Sequence, residues 1–215
     1  MSSPRPFPVV ISAPSGTGKT TVVSRLARQH PELFHVSVSA TTRARRGNEV
    51  DGVHYHFVTQ EEFTRLIDAG LLLEWALVFG RHYGTPRREI DGAASQGKIT
   101  LLDIDVQGGT QVLASVPGAV SVFLLPPSMD DLRGRLEARR TEGAETIASR
   151  LREASREIEQ GIAAYDYVVV NDDLDACVGT VWAIIQAERA RTWRLRAPCG
   201  SVEGVNEAWC FQSMM

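Results

Sequence analysis

The sequence predicts an α/β fold, a parallel sheet with helices on both faces, carrying a small β-rich insertion. Three observations predict it. Patterns of short apolar strands and amphipathic helices alternate along most of the 215 residues, which is how a sheet covered on both sides reads. A glycine-rich loop, Ala13 to Thr20, stands between the first strand and the first helix. Between His35 and Thr85 the alternation gives way to short strands around a charged loop.

The elements follow in order. Phe7 to Ile11 is an apolar run and reads as a buried strand, and Val22, Val23, Leu26 and Ala27 mark one face of the helix after it. His35 to Ser39 and Val53 to Val58 alternate as strands, with the polar, basic stretch Ala40 to Asn48 between them. Glu61 to Ala69 is a short amphipathic helix ended by Gly70, and Leu71 to Phe79 is a strand with Glu74 inside it. Pro86 to Gln96 reads as a helix closed by Gly97, and Ile99 to Ile104 as a buried strand leading to Asp105 and Gly108-Gly109. Val120 to Leu125 is a strand stopped by Pro126-Pro127, and Ser128 caps a helix from Met129 through Ala138. Helix Glu145 to Ala164, strand Asp166 to Val170 and helix Leu174 to Arg194 complete the pattern. The expected division is a core of residues 1–34, 86–138 and 165–195, an insertion at 35–85, a loop and charged helix at 139–164 and a tail at 196–215.

Composition sets outer limits. The 43% hydrophobic and 23% charged fractions are ordinary for a globular protein. A formal net charge of −3 gives no general support to nucleic-acid or anionic-membrane binding, so any basic site must be local. Cys177, Cys199 and Cys210 show no metal-ligand spacing and read as reduced thiols. With no signal-like start and no run approaching a membrane span, a cytoplasmic location is expected.

The glycine loop carries the sharpest chemistry. Gly16 and Gly18 let the backbone curl so that its N–H groups point at phosphate oxygens. The helix that begins near Lys19 adds its positive end. Lys19 brings a point charge to the outer phosphates, and the Thr20 hydroxyl suits the shell of Mg²⁺. Ala13 stands where the strict pattern has glycine. Asp103 and Asp105 lie at the carboxyl end of a buried strand, where they can hold Mg²⁺ through water or simply cap a helix.

Other clusters are less specific. Arg43, Arg45 and Arg46 suit one doubly charged phosphate, and equally an exposed basic loop. Glu74 in an apolar run must face solvent or a ligand. A carboxylate there fits the paired N1–H and N2–H₂ edge of guanine, which adenine lacks. Arg135, Arg139, Arg140 and Arg150 bracket the loop 141–146 and can close over a triphosphate, while Arg152 and Arg156 among glutamates read as a solvated face.

In this order, ISAPSGTGKTT, SVSATTR, EVDGVHYHFV, LLEWALVFG, YGTP, LLDIDVQGG, LPPSMDDLRGRL, IASRL and VVVNDDLD make the chain resemble the guanylate kinases, P-loop nucleoside monophosphate kinases, from about Pro8 to Arg189. The resemblance implies a P-loop NTPase-type core, an insertion that holds GMP and a helical lid at 139–164 that closes over ATP. It also implies Mg²⁺-dependent phosphoryl transfer from ATP to GMP, and to dGMP, giving ADP with GDP or dGDP. It assigns Ala13, Pro14, Ser15, Gly16, Thr17, Gly18, Lys19, Thr20 and Thr21 to ATP, with Arg139, Asn171 and Asp172 beside the nucleotide. Ser39, Glu74 and Asp105 resemble the guanine contacts, with Thr85 near the base. Arg43, Arg46, Tyr55 and Tyr83 resemble the clamp on the GMP phosphate. Lys19, Arg46, Arg139 and Arg150 resemble the group around the transferred phosphoryl, and Asp103 with Thr20 the Mg²⁺ site.

Arg45, Asn48, His54, Arg81 and Arg140 depart from residues common in the family, where Pro, Gly, Asp, Asn and Gly stand. Two other readings compete. Guanylate-kinase-like modules of scaffold proteins bind peptides, and related kinases phosphorylate other acceptors. The intact glycine loop and the lid arginines favour an enzyme, and Ser39, Glu74 and Asp105 favour guanine. Small-molecule substrates are expected, without nucleic acid or membrane, and the oligomeric state stays open between monomer and homo-oligomer.

Overall fold

The computed structural model describes residues 5–78, 80–138 and 144–195. In chain order the elements are β1 (Pro8–Ser12), α1 (Lys19–Gln29), β2 (Phe34–Val36), β3 (Ala40–Thr41), β4 (His56–Phe57), α2 (Gln60–Asp68), β5 (Leu72–Val78), β6 (Arg81–Pro86) and α3 (Arg88–Ser95). β7 (Ile99–Asp103), α4 (Val106–Ser115), β8 (Val120–Leu125), α5 (Met129–Ala138), α6 (Ala144–Ala164), β9 (Tyr167–Val170), α7 (Leu174–Arg189) and α8 (Thr192–Leu195) follow.

Five parallel strands form the main sheet in the order β2-β7-β1-β8-β9. Because side chains alternate along a strand, β1 serves both faces. Val9 and Ile11 join Val22, Val23 and Leu26 of α1 and Val178, Val181 and Ile185 of α7 on one side. Val10 points the other way, to Leu102, Val112 of α4, Phe123 and Tyr165. A strand buried on both faces reads as a continuous apolar run, which is why Pro8 to Ile11 has no polar-apolar rhythm before the hydrogen-bonded Ser12. Cys177 lies inside the first cluster, where burial pushes its thiol up to about 11. Among the described residues no helix is long and apolar enough to cross a membrane.

A second sheet, ordered β4-β3-β6-β5, mixes the parallel pair β3–β4 with antiparallel pairs β3–β6 and β5–β6. Helix α2 covers it with Phe63, packed on Ala40 and Leu72. The helix starts sharply because Thr59 accepts from the Glu62 N–H while Glu62 accepts from the Thr59 N–H. Helices α5 and α6 pack through Leu132, Leu136 and Ala154.

Several elements differ from the sequence reading. His35 and Val36, expected in the insertion, pair in parallel with Thr100 and Leu101 of the main sheet, since alternation alone does not tell which sheet a strand joins. Only His56–Phe57 of the expected strand 53–58 is extended; Val53 and His54 turn back on Val50. Pro86 ends β6 opposite Leu72 instead of starting a helix. α4 was not foreseen, because Gly108 and Gly109 read as breakers. The helix expected over 174–194 ends as α7 at Arg189, the short α8 follows, and Arg194 is buried. Its guanidinium lies 3.8 Å from the Phe7 ring centre and 4.0 Å from that of Trp193, and donates to the Gly118 carbonyl. The tail 196–215, Arg139 and Arg140 lie outside the described residues.

Candidate active site

The carboxyl ends of β1 and β7 open into a cleft of about 530 Å³. Ala13, Pro14, Ser15, Gly16, Gly18, Lys19, Thr20 and Thr21 form one wall, Tyr55 and Tyr83 of the insertion another, and Asp105 and Arg150 face them. A cleft at the strand ends of an open parallel sheet is where such folds bind ligands.

The loop's shape depends on two glycines in left-handed conformations, Gly16 at φ 97° and Gly18 at φ 101°. Gly18 is also the N-cap of α1, so the first N–H groups of that helix open toward the cleft. From below, Asn171 Nδ2 donates to the Thr17 carbonyl at 2.7 Å, and Arg135 Nη1 donates to the same oxygen at 3.1 Å. Arg135 was read with the lid arginines, but its guanidinium is engaged here and with the Asn171 carbonyl. Asn171 is buried and braces the loop, while Asp172 is exposed. Lys19 Nζ sits 2.6 Å from Asp103 Oδ1 and donates to the Ile104 carbonyl at 2.7 Å. The cation is therefore held at the mouth of the loop.

Asp105 follows the helix-cap reading: its Oδ1 accepts from the Gly108 N–H at 2.8 Å and starts α4. The glycines after it are required by neighbours. A Cβ on Gly108 would lie 2.5 Å from Glu74 Oε2, and one on Gly109 would overlap the Tyr165 hydroxyl. That hydroxyl donates to Ser12 Oγ at 2.6 Å, and Ser12 Oγ donates to the Asp105 carbonyl at 3.1 Å. The end of α6 is thereby fastened to the tip of β1 and to Asp105. Ser12, Gly108, Gly109 and Tyr165 were not singled out from sequence; the GG pair was the available signal.

Glu74 is 5% exposed, and burial pushes its carboxyl up to about 7 against the pull of the Thr85 hydroxyl, with Asp105 adding to the rise. Thr85 Oγ1 donates to Glu74 Oε1 at 2.7 Å and lies 3.3 Å from Ser39 Oγ. Ser39, Thr85 and Glu74 thus form one continuous polar row. Glu157 of α6, also missed from sequence, lines the cleft with its carboxyl raised to about 7 by burial and by Glu153 and Asp105.

The arginine loop is drawn together less. Arg43 makes a two-pronged pair with Glu49, at 3.0 and 2.7 Å, and lies over the Tyr55 ring at 5.3 Å. Arg43 holds the Glu49 carboxyl down at about 2, aided by the Arg46 N–H. The Arg46 side chain is exposed. Tyr55 and Tyr83 meet edge to face, 5.9 Å between ring centres, and burial raises the Tyr55 hydroxyl. Thr20 is exposed beside Lys19. No group of three or more His, Cys, Asp or Glu among the described residues could hold a metal by itself.

This arrangement has relatives. The guanylate kinase family model matches residues 5–188. A guanylate kinase of Symbiobacterium thermophilum is 48% identical over 193 residues, 90% of each chain. One of Anaeromyxobacter dehalogenans is 50% identical over 184 residues, 85% of this chain and 81% of that one. The crystal structure of guanylate kinase from Anaplasma phagocytophilum matches with a TM-score of 0.73 at 36% identity, covering 90% of this chain and 91% of that one. With a glycine loop at the carboxyl end of the sheet's middle strand, a buried carboxyl on the insertion beside α4, and matches spanning 85–90% of its length, the chain belongs to the guanylate kinase family.

Proposed function

We propose that the cleft performs ATP:GMP phosphotransfer with the donor phosphates on the glycine loop and the acceptor on the insertion. The observation that carries this reading is the row Ser39–Thr85–Glu74, which lies beside the Asp105 end of α4. An ionised Glu74 accepts the N1–H and N2–H₂ of guanine together, and the Ser39 hydroxyl adds a contact at the base edge. Adenine presents no such donor pair. dGMP shares the base and should share the site.

An oxygen of the GMP phosphate attacks the γ-phosphorus of ATP. The new O–P bond forms as the bond to the β–γ bridging oxygen breaks, leaving ADP. Such a transfer is catalysed by positioning and charge stabilisation. Lys19, released from Asp103, supplies charge to the outer phosphates, and the loop's N–H groups hold the remainder. Arg43 and Arg46 with Tyr55 and Tyr83 would clamp the acceptor phosphate. Arg150, with Arg139 on the segment outside the described residues, would neutralise charge on the moving group.

One hydroxyl and one carboxylate, Thr20 and Asp103, are too few for a protein-made cage. They fit an ion that arrives on nucleotide phosphates, as Mg²⁺ usually does. When bound it would shield phosphate charge; Asp103, freed from Lys19, would hold it directly or through water. A cytoplasmic location, where both substrates are available, accompanies this reading.

The test is a calorimetric titration of GMP into wild type, Ser39→Ala and Glu74→Gln. Glu74→Gln should weaken GMP on the order of a hundredfold, because a charged acceptor shared by two donors is lost. At pH 7 wild-type binding should release about half a proton from Glu74, seen as an enthalpy that changes with the buffer, and Glu74→Gln should lose that release. Unchanged GMP affinity in both variants would overturn the base assignment.

A further inference from the structure

The chain crosses between the main sheet and the insertion twice, and one carboxylate sits at both crossings. Ser37 donates its N–H to the Leu101 carbonyl of β7 at 3.0 Å, the last bond of this segment to the main sheet. Ser39 accepts from the His56 N–H of β4 at 2.9 Å, the first bond to the insertion sheet. Only Val38 lies between them. Its N–H has left one ladder and not joined the other, and it donates to Glu89 Oε2 at 3.0 Å.

Glu89 lies in the first turn of α3, two residues past Arg87, whose N–H still bonds the Leu71 carbonyl of the insertion. The same carboxylate reaches both bodies. Its Oε2 is 2.9 Å from His35 Nε2 on β2, and its Oε1 is 3.7 Å from His56 Nε2 on β4. A carboxylate brings only acceptors, so the His35 nitrogen that faces it carries the proton. The side chain is 10% exposed, so solvent competes weakly for these bonds.

We propose that Glu89 is a positioning residue for the acceptor: it fixes Val38, and through Val38 it sets Ser39 against Thr85 and Glu74. The inference rests on the reading of Ser39 as a contact to the acceptor base. The backbone bond to Val38 is the operative one. An oxygen acceptor at the right reach is needed, and its charge is secondary.

Three substitutions separate reach from charge. Glu89→Gln keeps an oxygen at full reach, Glu89→Asp keeps the charge one methylene short, and Glu89→Ala keeps neither. Glu89→Ala and Glu89→Asp should each raise KM for GMP roughly tenfold, the scale of one lost hydrogen bond to a charged acceptor. KM for ATP should stay within about twofold, and Glu89→Gln should return KM for GMP to within about threefold of wild type. Amide exchange at Val38 and Ser39 should quicken about tenfold in the Asp variant, with β1 and β7 amides unchanged. Glu89→Asp keeps an acid in the first turn of α3 and serves if the Ala variant fails to fold.

Rescue by Asp and not by Gln would show a charge role and overturn the proposal. So would equal rises in both KM values, which mark a merely structural defect. Ser39→Ala runs alongside. If Ser39→Ala raises KM for GMP and the Glu89 variants do not, the positioning claim fails and the base reading survives. If Ser39→Ala has no effect, Ser39 is not a contact to the base and this inference falls with it, whatever Glu74→Gln shows.

Discussion

The two sides of the cleft are built differently. On the side proposed for the donor the backbone makes the site. Gly18 caps α1, the loop follows a fully buried strand, and the Thr17 carbonyl is held from beneath by Asn171 and Arg135. On the side proposed for the acceptor the side chains make it, and they are occupied with one another: Arg43 with Glu49, Glu74 with Thr85, Tyr55 with Tyr83. Phosphate binding therefore needs little more than moving Lys19 off Asp103. Acceptor binding exchanges internal partners for ligand ones. Sensitivity to pH and to small substitutions should concentrate on the acceptor side.

The largest effect tests the donor side. Lys19→Ala should lower turnover on the order of 10²–10³-fold, as removal of a charge-stabilising donor does. Single-turnover rates measure it, and a loss under about tenfold would mean that the backbone alone suffices.

Glu74→Gln tests the acceptor side through stability. The folded carboxyl titrates at about 7 against an ordinary 4.5, so the native state keeps this proton longer than the unfolded chain does. Glu74's contribution to stability is full below pH 4.5 and is lost as pH rises through about 7. The ligand-free Gln variant should then be more stable than wild type at pH 8, by up to about 3 kcal/mol. Urea melts from pH 4.5 to 8 should show the wild-type decline and a flatter profile for the variant. Parallel profiles would contradict the buried-carboxyl account.

Asn171→Ala should follow, lowering stability by about 1–3 kcal/mol because the buried Thr17 carbonyl loses its closest donor. It should weaken ATP more than GMP in paired titrations, which marks the brace as a donor-side part. The smallest change is Glu49→Gln. With Arg43 less tightly held, KM for GMP should fall, by no more than about threefold, since the neutral amide still accepts from Arg43. A rise would show that Glu49 orients Arg43 for the phosphate.

The same contrast decides what the sequence disclosed. The donor side was legible because its chemistry is local: strand, glycines, Lys-Thr and helix are consecutive from Pro8 to Gln29. The Asn171 brace was not, because it reaches Thr17 across 154 positions. α4 was missed for a related reason. Gly108 and Gly109 look like breakers, and only the positions of Glu74 and Tyr165 show that bare backbone is needed there. The acceptor carboxyl was legible as an acid misplaced in an apolar run, whereas Glu157 looked like one more charge on a solvated helix. The assignment of β2 also turned on pairing with Ile99–Leu101, which no local pattern carries.

The central claim is that the glycine loop delivers a phosphoryl group to a guanine nucleotide chosen by Ser39, Glu74 and Asp105. ADP formation with ATP and Mg²⁺, measured against GMP, AMP, CMP, UMP and no acceptor, tests it most directly. The account predicts strong turnover with GMP and background with the other three acceptors and with none. Comparable turnover with AMP, or ADP released at the same rate with no acceptor, would contradict it.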